Sequence, residues 1–535
     1  MKQSVRVTLL LLLGICLTAS AQTNAPQMRP LSLADCIEVA LGHNFDVKIK
    51  RYNPELAQYT LSADYGAYEP TFNVEGGHGY SKSPGGIDEQ GRPYGSTETD
   101  DNYIASGFSG LLPWGLNYNL GSTFTDRYGN RPGAEIDPNS PYYVTNTFIN
   151  QQNGLPVTFI TTNYATFSRQ LSFEDFSGNV GFAQLRQPLL KNFWIDSTRL
   201  QIYLNKKDLK ISEEDLRNQL MQTITAVSQA YYEVIFAQEN VKVQQSAMEL
   251  ADRLLAENRK RVEVGAMAPL EEKQAQSQVA SSRADLLAAE GSRDTQQRVL
   301  KNLLSDDYMQ WKNVTVAPTE RLVAVPETFD LQESWKKGLS LRPDLAQQRL
   351  TFEKQGYIVR YQKNQLFPQL DLVGTAGYNA SAGSVSDGLG QIRDTENPFW
   401  SGGAQLTYPI GNTSARNNYK SAKAAKEQVL LQLKQLEQTV LIQIENAIAV
   451  ARTSFQRVQA TREARLYSEA ALEAEQKKLE NGKSTSFVVL QLQKDLTTAR
   501  SSEIRALADY NESLAQLWLQ EGSTLERRMI TLRSK

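Results

Sequence analysis

Few residues in this chain could carry chemistry by their type and spacing. Histidine occurs only at His43 and His78, and cysteine only at Cys16 and Cys36, in 535 residues. A zinc or redox centre needs several such ligands at close spacing, and an activated nucleophile needs a base within reach. Neither pattern is present. Cys36 lies on the apolar rhythm of a first helix, and the two histidines are isolated. Paired carboxylates such as Glu213-Glu214 fall in a long helical stretch with no pocket signature. No catalytic residue, metal site or cofactor is therefore expected, and the chain does not read as an enzyme. A formal net charge of −2 supplies no basic stripe for nucleic acid.

The N-terminus points to export. Lys2 and Arg6 precede an apolar run over residues 7–17, and Ala19-Ser20-Ala21 has the small-x-small form of a cleavage site. Residues 1–21 thus read as a signal peptide, too short to span a membrane. Cys16 follows Ile15 rather than a small residue, so lipidation is not expected. After cleavage only Cys36 remains, which rules out an internal disulfide. No later stretch offers the roughly 18 apolar residues of a spanning helix, which leaves a soluble chain or a β-barrel whose alternating strands escape hydropathy.

The elements recur as two repeats. Residues 197–264 contain neither Pro nor Gly, and Leu220, Ile224, Val227, Tyr231, Val234, Val241, Met248, Leu255 and Val262 follow a 4-3 spacing. Polar Gln238, Gln245, Asp252 and Arg259 interrupt this coiled-coil seam. Gly265 closes the helix, Pro269 starts a second arm over 269–304, and the pair forms a helical hairpin. A second long helix over 415–481 ends before Gly482 and is followed by an arm over 485–520. Pro70, Gly76 and Tyr80 match Pro368, Gly374 and Tyr378 in a shared Pro-x-Φ-x-Φ-x-Gly-x-x-Gly-Tyr strand, where Φ is apolar. Ala183-Gln184-Leu185-x-x-Pro188 matches Ala404-Gln405-Leu406-x-x-Pro409. Anchors in one order define repeats over 22–305 and 331–522, a linker over 306–330 with one strand at 313–317, and a tail over 523–535.

Each repeat opens with a short helical pair, over 32–66 and 331–365, broken at Asn53-Pro54 and Arg342-Pro343. Strands are expected at about 70–82, 177–189, 368–380 and 400–411, with a loop over 381–398. The stretch from Pro70 to Pro188 spans 118 residues and that from Pro368 to Pro409 spans 41, so the first is longer by 77. This insertion, about 83–175, reads as a long extracellular loop carrying its own hairpin around Pro113-Trp114-Gly115, with added barrel strands as the alternative.

The Leu31-Ser32-Leu33-Ala34-Asp35-Cys36-Ile37-Glu38 opening, the proline-started glycine-rich strands, the Gln-Leu-x-x-Pro strands and the glycine-ended tips, all duplicated, resemble the TolC family of outer-membrane efflux proteins. The resemblance covers essentially the whole mature chain. It implies a mainly α fold with a membrane β-barrel, in which four or more strands per chain enter a shared trimeric twelve-stranded barrel and long coiled-coil helices form a periplasmic tunnel. The lipid-facing segments would then lie in the outer membrane of a Gram-negative-type cell. The resemblance further implies a homotrimer that passes substrates from a periplasmic adaptor and an inner-membrane transporter, of RND, ABC or MFS type, to the exterior, in efflux or type I secretion. The adaptor-docking tips would include Val262, Gly265, Leu270, Leu479, Gly482 and Phe487. Many relatives carry acidic residues six and nine positions after the second tip glycine; here Val488 and Gln491 stand there. Glu271, Glu272, Gln491, Lys494 and Asp495 are the remaining candidates for the entrance. The competing class is a periplasmic adaptor-like coiled-coil protein, which needs one hairpin rather than two.

Overall fold

The computed structural model describes residues 27–87, 91–152 and 154–530. The signal segment 1–21, with Cys16, and the end of the tail lie outside the described residues. In chain order the elements are β1 (Gln27–Leu31), α1 (Leu33–His43), α2 (Phe45–Tyr65), β2 (Thr71–Ser83), a two-residue ladder β3 (Gly86–Ile87) with β4 (Pro93–Tyr94), β5 (Thr97–Leu111), β6 (Asn117–Ile149) and β7 (Pro156–Pro188). There follow α3 (Ser197–Glu263), α4 (Pro269–Leu304), α5 (Tyr308–Trp311), β8 (Val314–Pro318), α6 (Leu331–Leu341) and α7 (Pro343–Asn364). The chain ends through β9 (Gln369–Ala382), α8 (Val385–Arg393), β10 (Pro398–Thr407), α9 (Thr413–Glu480), α10 (Ser486–Glu521) and α11 (Thr524–Arg527). Two compact units result, Glu55–Ile211 with Gln348–Leu433, and Met1–Pro54 with Ser212–Gln347 and Lys434–Lys535.

The first of these units holds a six-stranded antiparallel sheet in the order β10-β9-β7-β6-β5-β2. The two repeats meet where β7 pairs with β9, and buried Asp371 receives Arg186 Nε at 2.7 Å across that ladder. The insertion is not a loop with a separate hairpin. It supplies β5, β6 and most of β7, and it stands between β2 and the rest of the sheet. Local alternation cannot distinguish a surface hairpin from a stave, because the difference lies in the neighbours that a strand finds. The 381–398 loop likewise differs from expectation: it carries α8, capped by Ser384 Oγ accepting from Asp387 N and seated with Gly388 against Phe176.

In the other unit β1 and β8 pair in parallel. Leu31, Leu33, Cys36 and Ile37 pack with Ile224, Val227, Tyr231, Leu300, Val316 and Leu525 in one core. Tyr231 Oη donates to Leu31 O at 3.1 Å, and the Gln297 amide completes the β8 edge by donating to Val316 O and accepting from Val316 N. The helical pair of the first repeat breaks at Asn44, not at Asn53-Pro54. Asn44 Oδ1 accepts from Asp46 N and Val47 N and so caps α2, while Pro54 lies inside that helix. The seam of α3 is buried from Leu220 to Val234; beyond it burial moves to Ala237, Ala251, Leu254 and Asn258, and Val241, Met248, Leu255 and Val262 are only half-buried.

Candidate functional site

No group of three His, Cys, Asp or Glu side chains suited to a metal occurs among the described residues. Burial pushes the Cys36 thiol up to about 12, which removes its thiolate at physiological pH. His43 Nδ1 faces Asp306, whose carboxyl is held down to about 2 by Lys48 and His43. His78 Nδ1 meets Asn102 Oδ1 at 2.8 Å on the strands. These are local pairings, and the arrangement worth building from is the sheet and the two tips.

Residues opposite one another in an antiparallel ladder point to the same side, so the register sorts the sheet into faces. One row runs Phe72, Phe108, Leu120, Ala183, Ala376, Trp400 through all six strands. The same face carries Val74, Ile104, Phe124, Leu185, Leu372 and Leu406, and Trp400 is 83% exposed. The opposite face carries Asn73, Glu75, Ser109, Asn119, Thr123, Gln184, Asp371, Thr375 and Gln405. An outward apolar band with a polar interior is the pattern of a membrane barrel wall. Of the strand markers, Gly76, Tyr80, Gly374 and Tyr378 lie within strands and Pro188 ends β7, while Pro70 and Pro368 immediately precede β2 and β9 and Pro409 follows β10. Tyr80, Tyr378 and Trp400 are exposed, as interfacial aromatic residues need to be.

Both tips use one backbone device. Gly265 has φ +73°, with Gly265 N donating to Val262 O at 3.0 Å and Ala266 N to Arg261 O at 2.8 Å. Gly482 has φ +70°, with Gly482 N donating to Leu479 O at 3.1 Å and Lys483 N to Lys478 O at 2.9 Å. Each is a Schellman closure, which requires the left-handed conformation that glycine adopts without steric cost. Five residues after each glycine stands an exposed apolar side chain, Leu270 at 67% and Phe487 at 59%. Val262 is half-buried, whereas Leu479 is buried with Leu254, Leu472, Val489 and Leu490. Leu479 therefore faces inward, and of the six tip candidates the glycines, Leu270 and Phe487 are exposed.

The entrance candidates do not converge. Gln491 Nε2 donates to Asp495 Oδ1 at 2.9 Å on an exposed helical face, beside exposed Lys494. Glu272 accepts from Gln276, and Glu271 offers its main-chain oxygen to Asn258. No hydrogen bond or ion pair joins Glu271 or Glu272 to Lys494 or Asp495 among the described residues. Two polar groupings escaped the sequence reading. Asn258, fully buried, donates to Ser486 Oγ at 2.5 Å and ties α3 to α10 behind the tips. Arg505 binds Glu233 at 2.8 Å and Asp509 at 2.5 Å and stacks over Phe236 at 4.7 Å. Burial and neighbouring Glu233 raise the Glu512 carboxyl beside it. The spacing of Arg505, Asp509 and Glu512 on one helical face was the available signal.

Residues 163–305 and 336–520 match the family model described as outer membrane efflux protein. The outer membrane protein TolC of Vibrio cholerae is 25% identical over 316 residues, covering 57% of this chain and 68% of that protein. Among solved structures, the CmeC outer membrane channel of Campylobacter jejuni is similar with a TM-score of 0.62 at 16% identity, covering 92% of this chain and 86% of that one. The open-state MtrE outer membrane channel of Neisseria gonorrhoeae gives a TM-score of 0.59 at 14% identity, covering 92% of this chain and 89% of that one. At such identities the likeness speaks for the fold.

Proposed function

This chain belongs to the outer membrane efflux protein family, and from that premise we propose that it is the exit duct of a tripartite efflux or type I secretion system. Three copies share one barrel in the outer membrane, and their long helices continue as a periplasmic tunnel. An adaptor protein docks at the tips, and an inner-membrane transporter of RND, ABC or MFS type supplies the energy. The duct does no chemistry of its own. It opens when docking spreads the helical ends.

The observation that carries this reading is the two-faced sheet, whose apolar row runs through the strands of both repeats. A lone sheet would leave unpaired edge groups in lipid at several kcal/mol each, and cyclic association removes both edges. Docking at the tips is supported by Leu270 and Phe487, apolar side chains held exposed at matching places. Outer-membrane fractions should contain a heat-modifiable trimer. Leu270→Asp with Phe487→Asp should leave that trimer intact and abolish adaptor cross-linking and efflux; retained efflux would remove the docking role. At the entrance, Gln491, Lys494 and Asp495, with Glu271 and Glu272, are proposed to line the closed end. Unchanged cation block in Asp495→Ala would dispose of a gating role for that carboxylate.

A further inference from the structure

We propose that the inserted hairpin widens the barrel: six strands from each of three copies close one wall of eighteen, with β10 of each copy pairing with β2 of the next. This rests on the trimeric duct reading above.

The hairpin reaches the same end of the sheet as its neighbours. Thr71 pairs with Ser109, Leu111 with Asn117, Asn117 with Arg186 and Pro188 with Asp371. Its turn is fixed there by Leu112 N donating to Leu116 O at 2.8 Å and by Gly115, at φ +93°, lying beside Arg199, whose guanidinium also binds Asn192 O. A hairpin confined to an extracellular loop would have no reason to reach this level.

The face pattern agrees. Ile104, Phe108, Leu120 and Phe124 continue the apolar band between Phe72 on β2 and Leu185 on β7. On the inner face Gly107 and Gly121 bring the two backbones close, and an added Cβ at Gly107 would lie 2.9 Å from Leu120 O. Most decisively, among the described strands β2 borders only β5, so the hairpin stands between β2 and β7, whose counterparts β9 and β10 pair directly in the second repeat. The free edges β2 and β10 run in opposite directions, so adjacent copies can join them antiparallel like the other pairs.

Barrel diameter grows roughly linearly with strand number, so this wall would be about 1.5 times as wide as one of twelve strands. Barrels of roughly 16–18 strands leave an aqueous channel. Steric selection of cargo then belongs to the helical entrance and not to the barrel.

The test uses the full-length trimer in liposomes with nitroxide labels at Phe108→Cys, Leu120→Cys, Ser109→Cys and Asn119→Cys; buried Cys36 does not compete for the reagent. The first two labels should be relaxed by dissolved oxygen in lipid and the last two by an aqueous nickel complex. Val74→Cys paired in turn with Gly402→Cys, Ala404→Cys and Leu406→Cys should give a disulfide-linked trimer in at least one pairing. Aqueous readings at Phe108 and Leu120, or no inter-copy disulfide in any pairing, within an intact trimer overturn the eighteen-strand wall and leave the duct standing. A monomer overturns both.

Discussion

At Gly265 and at Gly482 the chain turns through the same Schellman closure, yet the side chains behind the two turns differ in kind. Behind the second, Leu479 joins Leu254, Leu472, Val489, Leu490 and Leu496 in an apolar cluster. Behind the first, Leu254 of α3 enters that same cluster, while Asn258 reaches Ser486 and its Oδ1 finds no partner among the described residues. Seven residues before Gly482 the matching position is Glu475, a half-buried carboxylate that accepts from Ser484 Oγ at 2.5 Å and pairs with Lys478 at 2.9 Å. Duplication has thus preserved the backbone turn, while the two hairpins are joined behind it by a shared apolar cluster and by a buried amide that only the first hairpin supplies. The difference is one of strength: apolar burial adds with area, whereas a half-satisfied buried amide gives back much of what its bond contributes.

Breaking the apolar side should have the largest effect. Leu479→Ala should cost about 2–5 kcal/mol, the range for a buried leucine, and appear as faster proteolysis within the second hairpin than in the first. Next comes Asn258→Ala, which leaves the Ser486 hydroxyl without its donor at about 1–3 kcal/mol; Glu475→Gln, by contrast, should scarcely move the melting of the trimer. Gly265→Ala and Gly482→Ala should each cost about 1–2 kcal/mol for a left-handed alanine and should match each other, since an added Cβ meets nothing within 4 Å at either site. Unequal losses would show that the tips differ in backbone as well as in packing.

The smallest effect concerns pH. Because burial and neighbouring Glu233 raise the folded Glu512 carboxyl from its ordinary 4.5 to about 7, the folded state binds more protons than the unfolded state between those values. Its contribution to stability therefore falls as pH rises through that window. Glu512→Gln should flatten the dependence of thermal midpoint on pH from about 4.5 to 7, and an unchanged slope would assign it to other groups.

Much of the fold was legible because it rests on local signals. The two long helices, the glycine closures and the proline-started strands each carry a rule within a few residues. The break at Asn44 was also readable in principle. Aligning Asn44-Phe45-Asp46-Val47 with Arg342-Pro343-Asp344-Leu345 places two fully buried residues, Val47 and Leu345, in register. Proline drew attention to Pro54, where the helix continues. Leu479 and Leu270 look alike as apolar residues near a tip glycine, and only the helix packed behind each decides which is buried.

The sequence by itself determined that this is a duplicated chain of long helices and alternating strands, poor in the residues of catalysis, because periodicity, turn chemistry and composition are properties of short segments. Tertiary structure alone decided that residues 97–149 stand inside the sheet, that Arg186 meets Asp371 across the repeats, and that Asn258 meets Ser486. The physical reason is that a strand's hydrogen-bond edges and a side chain's partners come from residues distant along the chain, and alternation leaves that choice of neighbour open.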